Sequence, residues 1–178
     1  MHRGRSLDII VHADIVNAPW QRLVDPERFA VAQLVAELID AFCEPDLAMP
    51  DVYALLTGAI AAVAKSERPR SIIPRFSLRL LGALGIEPPL ERCIRCGGEL
   101  GDTIAWADPQ AGGLICERCR ERWRDLLELD ADDLRNLREL AAPRGSGRAA
   151  VAARPRATEA VEALIAHHLG RKPRASAQ

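Results

Sequence analysis

Aromatic side chains are scarce: three Trp, one Tyr and three Phe make up 4% of 178 residues, although hydrophobic residues reach 48%. A core with so few rings must be assembled from Leu, Ala, Val and Ile, a mixture that favours helices. No apolar run approaches the roughly 18 residues of a membrane span. The N-terminal MHRGRSLDII lacks both the apolar stretch and the small-residue cleavage site of a secretory signal, so a cytoplasmic location is expected. Also missing are a Gly-rich phosphate loop, a nucleophile elbow and a His with a Ser or Cys partner outside one cysteine cluster. Without such a constellation an enzyme is not expected. The length suits one ordinary domain, or a domain with a small appendage.

What is present is metal-ligand spacing. Cys93 and Cys96 form one Cys-x-x-Cys pair, Cys116 and Cys119 another, and 19 residues separate them. Each pair sits in a knuckle, CIRCGG and ICERCR, and Gly97 and Gly98 supply the backbone freedom that the first turn needs. Four thiolates meeting one ion predict a structural Zn2+ site with no open position for water or substrate. Rubredoxin-like iron is the minor alternative. A redox Cys-x-x-Cys motif normally occurs once, beside a βαβ pattern, and no such pattern surrounds either pair. Arg92, Arg95, Arg118 and Arg120 flank the ligands, where they can offset the excess negative charge of a four-thiolate site. The fifth cysteine, Cys43, falls on an apolar helix and is expected in the core.

A net charge of −1 hides an asymmetry: residues 1–142 sum to −6 and residues 143–178 to +5. The C-terminal part is a basic arm. Such an arm attracts phosphate or acidic protein tails, and any DNA binding by it is expected to be weak, sequence-independent and strongly salt-sensitive, carried mainly by Arg144, Arg148, Arg154, Arg156, Arg171, Lys172 and Arg174. A merely solvated basic surface is the competing reading.

In chain order, SLDIIVHADIV reads as a β-strand with no evident partner. Asp25 and Pro26 start a helix to about Cys43, with Phe29, Leu34, Val35, Leu38, Ile39 and Phe42 as its apolar stripe. A second helix starts at Pro50, with Val52, Leu55, Leu56, Ala59, Ile60 and Val63 inward. A third carries RFSLRLLGALG, with Phe76, Leu80, Leu81 and Leu84 inward, Gly85 beyond its end, and Arg75 and Arg79 on one face. TIAWADPQAGGLI predicts a hairpin between the knuckles. Asp130 caps a helix with Leu134, Leu137 and Leu140 as its seam. PRGSGRAAVAARPRA reads as a mobile basic linker, after which Thr158 caps a last helix holding Val161, Leu164, Ile165 and Leu169, closed by Gly170. His167 and His168 are adjacent on this helix and cannot jointly grip a metal, so they are expected at its surface or end.

Taken together, RFSLRLLGALGIEPPLERCIRCGGEL and DPQAGGLICERC resemble the helical and zinc-binding part of the RecO family of bacterial recombination mediators. GRSLDIIVHADIV is similar to the last strand of that family's N-terminal OB-fold, and HHLGRKPRAS to its closing helix and basic turn. The resemblance implies a mainly α fold: a helical bundle domain over 21–178 with a four-cysteine zinc ribbon inserted at 92–121, preceded by an OB-fold remnant at 1–20. It further implies a DNA repair and recombination accessory protein of the bacterial nucleoid that binds single- and double-stranded DNA. Such a protein works with RecR and single-stranded-DNA-binding protein to load RecA. Most of the OB-fold would lie before Met1, and a short apolar segment usual after the basic turn is missing at Gln178, so activity is expected to be impaired by truncation. Arg75 and Arg79 are the positions the resemblance offers for the acidic C-terminal tail of single-stranded-DNA-binding protein, since a basic pair beside an apolar groove suits aspartates and a terminal phenylalanine. An unrelated four-cysteine ribbon module that binds protein or RNA is the alternative, and a thiol oxidoreductase the third class.

Overall fold

A computed structural model describes residues 11–15, 20–142 and 152–170. Proline placement sets most helix starts. After a single turn, α1 (Trp20–Leu23), comes α2 (Pro26–Phe42), whose Asp25 cap accepts the Arg28 N–H at 2.9 Å while Pro26 fills a position that needs no donor. α3 (Pro50–Lys65) begins at Pro50, and a 3-10 turn at Pro69–Ser71 leads into α4 (Ile72–Ala83). Gly85 follows α4 at φ 73°, and Ile86 N–H returns to the Leu81 carbonyl, a left-handed cap that halts the helix.

The chain then enters the four-cysteine lobe: β1 (Ala105–Asp108), β2 (Gly113–Ile115), a helical turn α5 (Glu117–Arg120) and β3 (Leu127–Leu129). β1 is central in an antiparallel sheet of order β2-β1-β3, with Trp106 opposite Ile115 and Ala105 opposite Leu129. The expected hairpin is there. The strand β3 was not anticipated; three residues of Leu-Glu-Leu give too short an alternation to stand out. Two helices finish the structure, α6 (Ala131–Ala141), capped by Asp130 on the Asp133 N–H at 2.7 Å, and α7 (Pro155–Leu169).

α4 packs against α2, α3, α6 and α7, and Phe76, Leu78, Leu80 and Leu81 are all buried, so it is apolar on nearly every side. α7 rests on α4 and α6 through Ala157, Ala160, Val161, Leu164 and Ile165, and it also covers β1 and β3. The helical body and the sheet therefore share one hydrophobic cluster, from Leu34 to Ile165. Cys43 is half-buried against that cluster. Helix dominates the described residues, and among them no helix is long and apolar enough to cross a membrane.

Three expectations need correction. Phe29 does not join the α2 stripe and is 59% exposed; at about 100° per residue it lies on the opposite side from Leu38, and Val31 takes the inward place. The last helix starts at Pro155, a turn before Thr158, because Pro155 can open a helix and Asn136 fixes Arg154 before it. Thr158 instead turns its hydroxyl back to the Arg154 carbonyl. Residues 11–15 are exposed and belong to no strand; the rest of the expected first strand lies outside the described residues.

Candidate metal centre and basic surfaces

Each cysteine pair is held by backbone geometry. In the first knuckle, Cys93 N–H donates to the Gly98 carbonyl and Gly97 N–H to the Cys93 carbonyl, both at 2.8 Å, with Gly97 at φ 70°. That dihedral favours glycine and turns Cys96 back toward Cys93. In the second, Cys116 precedes α5, so Cys119 falls nearly one turn later, and its N–H donates to the Cys116 carbonyl at 3.0 Å. Ile94 N–H donates to the Leu114 carbonyl and so seats the first knuckle on β2.

The four sulfur atoms lie within 4.8 Å of one another, with Cys96 and Cys116 Sγ at 3.8 Å, and no disulfide joins them. Metal–sulfur bonds of about 2.3 Å in a tetrahedron would put sulfurs roughly 3.8 Å apart, so the donor set fits a single ion. Cys93 and Cys119 are shifted in opposite directions. Burial pushes Cys93 up, but the backbone N–H groups of Cys116, Cys96 and Arg95 outweigh it and bring the thiol down to about 6. Burial, followed by bonding to the neighbouring thiols and the charge on Cys93, drives Cys119 up to about 12. A cation bound among the sulfurs would favour the charged form of Cys119 against these effects.

The flanking arginines are placed around this cluster. Arg95 donates to Asp108 Oδ2 at 2.7 Å and its guanidinium lies 3.5 Å from the centre of the Trp123 ring. Asp108 is buried and also accepts the Gln110 and Ala111 N–H groups, so one carboxylate organises both the β1–β2 turn and the first knuckle. Arg92 reaches the Gly97 carbonyl, Arg120 lies over Trp106, and Arg118 lies beside Gly98.

Arg138 on α6 was not singled out from sequence. Its guanidinium, with the side chain 13% exposed, donates to the Leu90 and Leu100 carbonyls and pairs with Glu91 and Asp102. It therefore clamps the segments on both sides of the first knuckle to the helical body. No local motif marks such a residue, because its partners lie 36 to 48 positions away.

Arg75 and Arg79 both line a cavity of about 360 Å³ with Leu55, Ala59, Ile72 and Phe76. Arg79 donates to the Ala142 carbonyl at 3.1 Å, whereas Arg75 Nη1 is buried with no hydrogen-bond partner among the described residues. Of the basic arm, Arg154 bonds Asp133 at 2.6 Å and faces Asp130 at 3.5 Å, and Arg156 bonds Glu159 at 2.8 Å. Arg144, Arg148, Arg171, Lys172 and Arg174 lie outside the described residues. His167 is exposed near the end of α7, its ring seated over Gly112, and His168 stands edge-on to it.

Comparison with known proteins gives this architecture a family. A model of the recombination protein O C-terminal region matches residues 23–177. The DNA repair protein RecO of Desulforudis audaxviator is 30% identical over 99% of this chain and 72% of its own length. That of Desulforamulus reducens is 30% identical over 79% of this chain and 54% of its own length, and that of Roseiflexus sp. is 28% identical over 98% and 63%. The chain spans about half the length of several curated relatives it matches. Helical body, four-cysteine lobe and these matches lead to one conclusion: the chain belongs to the recombination protein O family, through that family's C-terminal region.

Proposed function

We propose that this chain is a non-enzymatic DNA repair and recombination accessory protein that holds a structural Zn2+ on Cys93, Cys96, Cys116 and Cys119. It binds single- and double-stranded DNA without sequence preference in the bacterial cytoplasm and nucleoid. The observation that carries this reading is the family match over residues 23–177, the same residues that build the helical body and the four-cysteine lobe. Zinc is favoured by the all-thiolate donor set, and its contribution is to stiffen the two knuckles rather than to activate a substrate.

The basic arm supplies phosphate contacts through Arg144, Arg148, Arg171, Lys172 and Arg174. Arg154 and Arg156 contribute less, because a phosphate must compete with carboxylates already at 2.6 and 2.8 Å. The cavity beside Arg75 and Arg79 takes the acidic tail of single-stranded-DNA-binding protein. An apolar floor suits a phenyl ring, and a buried guanidinium nitrogen without a partner suits a carboxylate. Through that contact, and with RecR, the protein helps load RecA.

Titration of fluorescent single-stranded and duplex DNA at several salt concentrations tests the first half. Binding should fall steeply with salt, and replacing Arg144, Arg148, Arg171, Lys172 and Arg174 by serine, which leaves the buried face of α7 untouched, should flatten that slope while metal stays in place. No binding at low salt by the intact chain would refute it. For the second half, a peptide ending in Asp-Asp-Phe should bind the parent and lose at least ten-fold in affinity for Arg75→Ala.

A further inference from the structure

We propose a second nucleic-acid contact, specific for unpaired bases, on the segment that follows the last cysteine, with Trp123 as a stacking platform between Arg122 and Arg124. It rests on the DNA-binding reading above and deepens it.

Trp123 is 39% exposed in a protein with few aromatic rings, whereas Trp106 is buried in the sheet. Hydrophobic burial does not account for its position, because little of the core reaches it. One face of the ring carries the Arg95 guanidinium at 3.5 Å. That guanidinium is itself pinned to buried Asp108 at 2.7 Å, and the Trp123 backbone N–H donates to the Arg120 carbonyl at 3.0 Å, which fixes the main chain that carries the ring. The ring is therefore held in one orientation before any ligand arrives, which lowers the entropic cost of stacking a base on it. Asp125 follows at φ 57°, a left-handed residue that reverses the chain into β3 and leaves Trp123 and Arg124 on an exposed bend.

Arg118, Arg120, Arg122 and Arg124 alternate along the same segment and are all exposed. Glu117 and Glu121 are interspersed, so residues 116–124 carry a net +2 before the thiolates are counted. A divalent ion on four thiolates carries a formal −2, which Arg118 and Arg120 lie nearest to offset. Long-range attraction to phosphate is therefore small here, and recognition falls on the ring, with Arg122 and Arg124 each within reach of one neighbouring phosphate. A positioned ring between arginines suits single strands, whose bases are free to stack, and not duplexes, whose bases are already stacked. An exposed cation–π pair contributes about 0.5–1 kcal/mol, so covering Arg95 alone is weak reason for a half-exposed tryptophan.

The test uses the full zinc-loaded chain with fluorescein-labelled oligothymidylate and with a duplex of equal length. Trp123→Ala should weaken the single-strand complex roughly five-fold or more, leave duplex affinity within two-fold, and leave the salt slope unchanged; Trp123→Phe should restore most of the loss. Should the alanine variant lose zinc or melt early, Arg122→Ser with Arg124→Ser replaces it, and must lower the single-strand salt slope by about 1.4. Equal single-strand affinity of parent and Trp123→Ala, or equal loss on both DNAs, overturns this site while the basic-arm reading stands. Loss of binding to an acidic peptide but not to oligothymidylate overturns it in favour of a protein partner. A parent that binds no DNA at all overturns both readings.

Discussion

In the helical body, Leu38, Leu78, Leu80, Leu81, Leu134 and Leu137 are fully buried in a shared interior. The four-cysteine lobe has a thinner interior, chiefly Leu100, Trp106, Leu114 and Ile115, and is otherwise held by polar devices that each serve several groups. Four thiols make one centre, Asp108 holds a turn and Arg95, and Arg138 clamps both flanks of a knuckle. Dispersed apolar packing degrades gradually as residues are lost, whereas shared polar anchors fail together. A change in the body should act on packing alone, whereas loss of a shared anchor in the lobe should release several groups at once.

The sharpest way to break that contrast is Cys93→Ser or Cys116→Ser. Each should abolish tight metal binding and unfold the lobe, since binding free energy at such a site is also folding free energy, on the order of 10 kcal/mol for small zinc modules. Metal analysis and amide exchange check this; full metal with an unchanged melt would remove the distinction. Leu81→Ala, in the middle of the body, should cost about 2–5 kcal/mol in chemical denaturation while the metal stays bound. Arg138→Ala should cost about 1.5–3 kcal/mol and speed exchange around Leu90 and Leu100 before it affects α2 or α3. Uniform acceleration across the chain would show that the clamp is not local.

Two smaller effects sharpen the picture. Gly112→Ala places a Cβ 2.3 Å from the His167 ring at a φ of 67°, so the ring must swing away; a loss of about 1–2 kcal/mol is expected by thermal melting. Asp130 is held below the ordinary carboxylate range, first by the Asp133 N–H and also by the charge of Arg154. A depressed folded pKa gives stability present above the unfolded value and lost as pH falls through the folded one. Asp130→Asn should therefore melt slightly below the parent at neutral pH, and the two should converge as pH drops below the usual aspartate range.

Much of the body was legible because its signals are local. Pro26 and Pro50 mark helix starts, Asp25 and Asp130 offer capping carboxylates, and leucine spacing marks the buried faces. The cysteine pairs likewise announce their cluster through spacing alone. What was not legible depends on residues far apart in sequence. Arg138 reads as a solvated arginine until Leu90 and Leu100 are brought to it, and Asn136 reads as a helix-surface amide until it binds the Ala152 carbonyl and Arg154 N–H. Phe29 misled because an aromatic in an amphipathic helix suggests burial, although the stripe through Val31, Leu34 and Leu38 leaves it outside. Trp123, a ring between Arg122 and Arg124, is a local signal, but its short segment carries less net positive charge than the basic arm at 143–178.

The position of α7, resting on α4 and α6 while roofing β1 and β3, bears on the order of events at the ribosome. Vectorial synthesis delivers all four cysteines well before Pro155, so the proposed ion could be captured while the sheet still lacks its roof. For that interval Ala105 and Leu129, on the two strands that α7 covers and sealed in the finished protein, lack that cover. Early metal capture would hold the two knuckles together through this vulnerable window, and cells starved of the metal would accumulate chains whose sheet is open to proteases and to other nascent chains.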